Sequence, residues 1–348
     1  MPELKRILEL TKRASDAHEE VCLATVAGVE GSAYRRPGAR MVLTRSGLRA
    51  GTVSGGCLEG EIAKKAWWLT ERGAAIQRYS SFFDDDGDMP YGLGCGGTVV
   101  VLMERGEPAA RTLEALRASV EERRAGVVAI DTSEETPGTV LIMNDAGEIA
   151  WQREGSGDGA KLADEVRSAK ASRQAGRFFV QYLAPPPALV IFGAGDDAKP
   201  LVEFMAELDW HVTVADGRSQ LVRAERFPQA AGVEGLEAGL RQAAAADAAV
   251  IMTHSYDQDR QILRALLPTE LKYLGILGPR QRTERLAGEI APALGCTARD
   301  CIARLHSPVG LDLGGHSPAA IALSIAAELQ AVLSGRETKK PSAPLTHV

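Results

Sequence analysis

Cysteine is scarce and falls in no pairing pattern: five residues in 348, Cys22, Cys57, Cys95, Cys296 and Cys301, with no C-x-x-C among them. An odd, scattered set is a poor disulfide framework, which excludes a small stapled secreted fold and fits a reducing, cytoplasmic setting. Long apolar runs are missing too. No stretch approaches the roughly 18 residues of a membrane span, and Met1 to Lys12 lacks the apolar core of a secretory signal, so no membrane association is expected. Nor does one sign of charge dominate. The net charge is -6 with acids and bases interleaved, which argues against nucleic acid or another polyanion as the main partner.

What is present is ordinary globular material, 45% hydrophobic and 25% charged, enough for real cores. Such a length suits two domains of ~100–200 residues each. Hydrophobic spacing predicts an amphipathic helix near the N-terminus, then strands at 21–26, 40–44 and 48–53, a helix from Leu58 to Leu69 and a strand at 98–103. A charged helix at 109–125 and strands at 127–130, 139–143, 149–152 and 178–183 continue this first unit. Pro185-Pro186-Pro187 cannot sit in a central strand and marks a linker. Beyond it a short apolar run, a glycine turn, a helix and a second strand make a βαβ unit, with later buried strands at 248–252 and 273–277. The fold expected is α/β: an N-terminal mixed α+β domain over 1–184, a C-terminal Rossmann-like doubly wound parallel sheet over 185–336, and a flexible tail at 337–348. No internal repeat at a fixed period is evident.

The chemistry gathers in glycine loops. Gly193-Ala194-Gly195-Asp196-Asp197-Ala198 is a G-x-G-x-x-A turn between strand and helix, with Asp216 closing the next strand. This is the context of a phosphate or nucleotide site, with a ligand-free tight turn as the alternative. Asp196 and Asp197 put negative charge where a pyrophosphate would bring more. Arg218 could fork onto a phosphate or be a solvated surface arginine. His254 follows the strand ending at Met252, at the carboxyl edge where ligands collect, and Gly278 and Arg280 join the next strand to its helix. In the first domain Ser54-Gly55-Gly56-Cys57 puts a thiol at a helix start, where the dipole's positive end favours an anion, and Cys95 lies in a second run of glycines. Cys57 and Cys95 are therefore candidate reactive thiols, against the reading of small buried hydrophobes. Cys22, Cys296 and Cys301 have no such context and read as structural. Arg36 stands in a polar arginine-glycine loop from Glu30 to Met41 that closes over an anion or is a plain hairpin. Asp84, Asp85, Asp86 and Asp88 lack calcium-loop spacing and read as a solvated turn. Ser317 and Pro318 start a long apolar helix as N-cap and first turn, leaving His306 and Gly310 better placed for a ligand.

Together these segments resemble the XdhC/CoxI family of xanthine and carbon monoxide dehydrogenase accessory proteins. The resemblance rests on E-G-S-x-x-R-x-P-G-A-x-M from Glu30, S-G-G-C-x-E-G from Ser54, G-L-G-C-G-G from Gly92, G-A-G from Gly193, D-x-R from Asp216, T-H-x-x-D from Thr253, Y-L-G-I-L-G from Tyr273 and H-S-P-V-G-L-D from His306. It implies a chaperone that binds the molybdenum cofactor (a molybdopterin, with or without a second nucleotide) and supports its sulfuration by a cysteine desulfurase. The cofactor is then delivered to an apo molybdenum hydroxylase of the xanthine dehydrogenase type. On this view Cys57 and Cys95 handle metal or sulfur, with Cys57 meeting molybdenum through the cofactor. Arg36, Ser54, Gly55, Gly56, Gly193, Gly195, Asp216, Arg218, His254, Gly278, Arg280 and His306 would contact the ligand, and a homodimer is expected. The competing expectation is an NAD(P)- or flavin-dependent oxidoreductase built on the Rossmann unit, with NAD(P) or another nucleotide as ligand.

Overall fold

The computed structural model describes residues 3–80, 97–154 and 158–336. Cys95 with Gly92 to Gly96, the acidic turn at 84–88, the glycines at 155 and 157 and the tail at 337–348 lie outside the described residues. The chain divides into two compact units, Met1–Pro186 and Pro187–Val348.

The first unit runs α1 (Glu3–Asp16), β1 (Val21–Gly31), β2 (Arg40–Thr44), β3 (Arg49–Gly51), α2 (Glu59–Leu69), β4 (Ala75–Ser80) and β5 (Gly97–Glu104). It continues with α3 (Gly106–Glu121), β6 (Gly126–Asp131), β7 (Gly138–Asn144), β8 (Ile149–Gln152), α4 (Asp158–Ala169), β9 (Arg173–Ala175) and β10 (Phe178–Leu183). These strands form two five-stranded antiparallel sheets, ordered β3-β2-β1-β5-β4 and β8-β7-β6-β10-β9. Each half therefore repeats one pattern of helix, three strands, helix and two strands.

The match extends to the hairpin turns. The β2–β3 turn closes with Thr44 N to Leu48 O at 2.9 Å and Gly47 N to Thr44 O at 3.1 Å. Its counterpart closes with Asn144 N to Glu148 O at 2.9 Å and Gly147 N to Asn144 O at 3.1 Å. Gly47 and Gly147 take φ of 91° and 88°, which side chains disfavour. Sequence alone shows no repeat because what recurs is alternation and turn chemistry, which many sequences satisfy.

The two sheets face each other. Leu23, Val42 and Leu102 of one meet Val128, Ile130, Ile142 and Phe179 of the other, with Ile7 and Leu10 of α1 and Leu113 and Leu116 of α3 in the same cluster. The alternate residues Cys22, Ala24, Met41 and Leu43 pack outward against Ile62 and Ala66 of α2. Likewise Val127, Ala129 and Leu141 pack against Ala163 and Val166 of α4. Burial on both faces explains why these strands read as unbroken apolar runs. Between the sheets Glu104 accepts from Thr139 N at 2.9 Å and Thr139 Oγ1 at 2.7 Å. Burial pushes the Glu104 carboxyl upward against those bonds.

The second unit contains β11 (Ala188–Phe192), α5 (Lys199–Glu207), β12 (His211–Asp216), β13 (Gly232–Gly235), α6 (Leu236–Ala243), β14 (Ala248–Ile251), α7 (Tyr256–Leu266), β15 (Tyr273–Ile276), α8 (Arg280–Leu294), α9 (Ala298–Ala303) and α10 (Pro318–Leu333). Its parallel sheet has the order β13-β12-β11-β14-β15, the doubly wound arrangement expected from the βαβ pattern. One face carries α5 and α10 and the other carries α6, α7, α8 and α9. The pair β13 and α6 is not legible in the sequence, because Gly-Val-Glu-Gly offers no alternation to detect. Among the described residues no helix is long and apolar enough to cross a membrane.

Candidate functional site

In the first unit the loop between β3 and α2 is built around Ser54 and Glu59. Glu59 Oε1 accepts from Val53 N at 3.0 Å and Ser54 N at 2.8 Å, while Ser54 Oγ donates to Glu59 Oε2 at 2.6 Å. Ser54 Oγ also accepts from Gly56 N at 3.1 Å and Leu58 N at 3.0 Å. Burial pushes Glu59 up, but these bonds outweigh it and hold the carboxyl below its ordinary range. Ser54 is thus spent inside the loop and not presented to a ligand. In the sequence Glu59 stands out only as part of a motif; it lies five residues from Ser54, not the three of a capping box, so no local signal marked the contact. Gly56 takes φ 111° with open space around it, and Cys57 follows as an exposed thiol. Helix α2 begins only at Glu59, so Cys57 lies one residue outside the Leu58 N-cap instead of at the helix start.

Cys57 lines a recess of about 90 Å³ with Ser32, Tyr34, Arg35, Ser54, Gly55 and Gly97. Tyr34 is 74% exposed, and its ring lies over Gly55, about 3.6 Å from where a Cβ would stand. Arg35 is pinned by α1: its Nη2 meets Glu3 Oε2 at 2.5 Å, and Glu3 Oε1 accepts from Thr52 N at 2.8 Å. The predicted Arg36 is exposed, and its carbonyl closes the turn onto Ala39. Arg35, the neighbour, is the arginine on the recess wall. Among the described residues no group of three His, Cys, Asp or Glu side chains could hold a bare metal ion.

In the second unit β11 delivers the chain to Gly193, and the turn is filled by its own anions. Asp216 Oδ2 accepts from Ala194 N at 2.7 Å and from Arg218 Nη2 at 2.7 Å, while its Oδ1 takes Arg218 N at 2.8 Å and Nε at 2.9 Å. Burial raises Asp216, yet the guanidinium and the two N–H groups leave its carboxyl below the ordinary range. Arg218 therefore folds back on Asp216. Asp196 lies between Lys199 Nζ at 2.8 Å and Arg226 Nη2 at 3.0 Å. Asp197 Oδ2 meets His254 Nε2 at 2.7 Å, and His254 holds φ 58°, a left-handed conformation uncommon for a side-chain residue.

Gly195 has φ -70°, so it needs no special conformation; its Cβ position lies 2.3 Å from Asp197 Oδ1. Gly195→Val should accordingly melt within a few degrees of the parent, since a carboxylate at the end of a side chain can swing away. It should still obstruct phosphate approach, measured by calorimetric titration of a phosphate ester; unchanged affinity would detach this turn from phosphate.

Three further positions are brought to this carboxyl edge. Gly278 takes φ 134° after β15. Arg280 is 73% exposed and pairs with Glu284 at 3.0 Å, whereas Arg282 turns onto buried Asp259, which also receives Thr253 Oγ1. His306 adds a bridge to Gly275, and its ring stacks on Tyr273 with centroids 4.1 Å apart. His306 Nδ1 meets Glu328 Oε1 at 3.0 Å, and Glu328 Oε2 accepts from Tyr273 Oη at 2.6 Å and Gly310 N at 2.7 Å. Sequence reasoning missed Glu328, although it is the single charge in the apolar α10. That solitary acid was the signal.

Known proteins align with both units. The family model for the XdhC Rossmann domain matches residues 189–329, and the model for the XdhC and CoxI family matches residues 14–80. A Bacillus subtilis strain 168 protein, described as a probable subunit of xanthine dehydrogenase, is 32% identical over 327 residues, 89% of this chain and 92% of that one. The molybdenum cofactor insertion chaperone PaoD of Escherichia coli K12 is 22% identical over 328 residues, 94% of this chain and 88% of its own. A crystal structure described as a xanthine dehydrogenase from Bacillus halodurans aligns over 99% of both chains, with 28% identity and a TM-score of 0.77.

Proposed function

Because the chain belongs to the XdhC and CoxI family, we propose that it is a chaperone that binds the molybdenum cofactor and supports its sulfuration and delivery to a molybdenum hydroxylase of the xanthine dehydrogenase type. The observation that carries this reading is the exposed Cys57 thiol in a recess of bare glycine backbone beside Tyr34 and Arg35. A thiolate is a soft ligand suited to a sulfur-ligated metal or to accepting sulfane sulfur, and glycines give a bulky pterin room to approach. The name of the PaoD relative supports the same cargo. In this reading Arg35 and Arg36 offer charge to the ligand's anionic groups. The Gly193 turn, flanked by Lys199, Arg226 and His254, receives a phosphate once Asp197 leaves Gly195. A cysteine desulfurase supplies the sulfur, the cofactor is held in mononucleotide or dinucleotide form, and the chain works in the cytoplasm as a homodimer.

An NAD(P)- or flavin-dependent oxidoreductase is the alternative favoured by the strand order and by Asp216 at the end of β12. Against it, the Asp216 carboxylate, which would hold a ribose, already accepts from Ala194 N and from Arg218.

The test is purification from cells that make the cofactor, with the released ligand identified by mass spectrometry. A molybdenum-bearing pterin is the expected result, and NAD(P) or flavin in its place would overturn the reading. In reconstitution with apo-hydroxylase, Cys57→Ser should activate at least about tenfold less than the parent, the scale of losing one metal-directed contact. Equal activation would remove Cys57 from the mechanism.

A further inference from the structure

Cys296 and Cys301 lie far in sequence from every cysteine assigned a role, in a context that reads as structural. Their sulfurs are 3.3 Å apart. The segment between them is held at both ends: Gly295 caps α8 at φ 66°, and Thr297 with Asp300 forms a reciprocal capping box that starts α9. Cys301 is 2% exposed in the apolar cluster with Ile290, Ala291 and Leu305, while Cys296 is half-buried at the edge of that cluster. One thiol is thus reachable from solvent and the other sits behind it. A disulfide needs a sulfur separation of about 2.05 Å, so the two sulfurs have little more than about 1 Å to close.

We propose that Cys296 and Cys301 form a reversible oxidation site that closes to an intramolecular disulfide when the chain meets a hydroperoxide. The Cys296 sulfur attacks the peroxide oxygen; its S–O bond forms, the O–O bond breaks, and the departing alkoxide or hydroxide takes up the thiol proton. The Cys301 sulfur then attacks the Cys296 sulfenic acid; the S–S bond forms, the S–O bond breaks, and hydroxide leaves with the Cys301 proton as water. Two thiols are oxidised by two electrons in total, and one peroxide is reduced to alcohol or water. The order follows from exposure, and it agrees with the Cys301 thiol being pushed up to about 11 by burial and by the neighbouring Cys296 thiol. A thiol or dithiol reductant reverses the bond by exchange.

The disulfide would clip the corner between α8 and α9. From that corner the chain runs to His306, whose carbonyl accepts from Ile276 N at 3.1 Å and whose N–H meets Leu274 O at 2.9 Å. Oxidation therefore fixes the approach to the His306–Gly310 segment without touching Cys57.

Cleavage after arginine provides the readout, because Arg299 separates the two cysteines. The full chain is exposed to hydrogen peroxide, remaining thiols are blocked, and the protein is digested with trypsin. The expected product is peptide 286–299 joined to peptide 300–304, abolished by dithiothreitol and absent in Cys296→Ser. Oxidised wild type should also melt higher than reduced wild type, with no such rise in Cys296→Ser. Alkylation of both residues at a peroxide dose that oxidises Cys57 in the same sample would overturn the proposal, as would sulfinic acid at Cys296 beside a free Cys301. Neither result bears on cofactor binding, which is read separately from the co-purifying ligand.

Discussion

Glu328→Ala is expected to destabilise the second unit by about 4 kcal/mol and to lower its melting temperature by roughly 10 °C. The side chain is fully buried on α10 and holds three groups at once: His306, the Tyr273 hydroxyl and the Gly310 N–H. Truncation leaves those donors inside the protein without an acceptor, which costs more than the bonds themselves contribute. The pH dependence has a definite sign. Burial pushes the Glu328 carboxyl up, but His306, Tyr273 and Gly310 outweigh it and bring the value from 4.5 down to about 2. A carboxylate depressed in the folded state contributes its stability fully above about 4.5 and loses it as pH falls toward 2, a span worth roughly 3 kcal/mol. Chemical denaturation from pH 7 to pH 3 should show the parent weakening faster than Glu328→Gln, which has no charge to lose. Parallel slopes would mean that the carboxylate is not the anchor of the His306–Gly310 segment.

Gly193→Val should be the other severe change, at about 4 kcal/mol, with little folded protein recovered. Gly193 sits at φ 123°, a conformation that only glycine adopts at low cost, and its Cβ position lies 2.3 Å from the Met252 carbonyl oxygen and 2.6 Å from its carbon. Backbone strain of ~1–3 kcal/mol then adds to a steric conflict of similar size, because neither β11 nor β14 can move without breaking the sheet between them. The contrast with Gly195 is sharp, since the two glycines look equivalent in the motif. Yields and melting curves of Gly193→Val and Gly195→Val side by side test this. If the two behave alike, the close crossing of Gly193 over Met252 is wrong.

That contrast marks how far the residues alone carry. Strands β1, β2, β3, β5, β6, β7, β8, β10, β11, β12, β14 and β15 and most helices were legible, because apolar periodicity and turn glycines are local signals. The Pro185–Pro187 run and the glycine turn after β11 were legible for the same reason. The short glycine-bounded β13, the three-residue β9 and the mostly polar β4 were not, since their pairing comes from neighbours far along the chain.

Of the candidate site, the sequence marked the loops proposed to carry the chemistry: Ser54 to Cys57, the Gly193 turn, Asp216 to Arg218 and the His306 segment. Only the tertiary structure decided what each side chain is doing there. It turned Arg218 onto Asp216, laid Asp197 over Gly195 against His254, spent Ser54 on Glu59 and tied His306 to Glu328. It also revealed that the first unit is one topology used twice, and that Cys296 and Cys301 meet. The physical reason is range. Periodicity and turn preference are fixed by residues within a few positions of one another, whereas charge pairing and sulfur contact are fixed by whichever element the completed fold brings alongside.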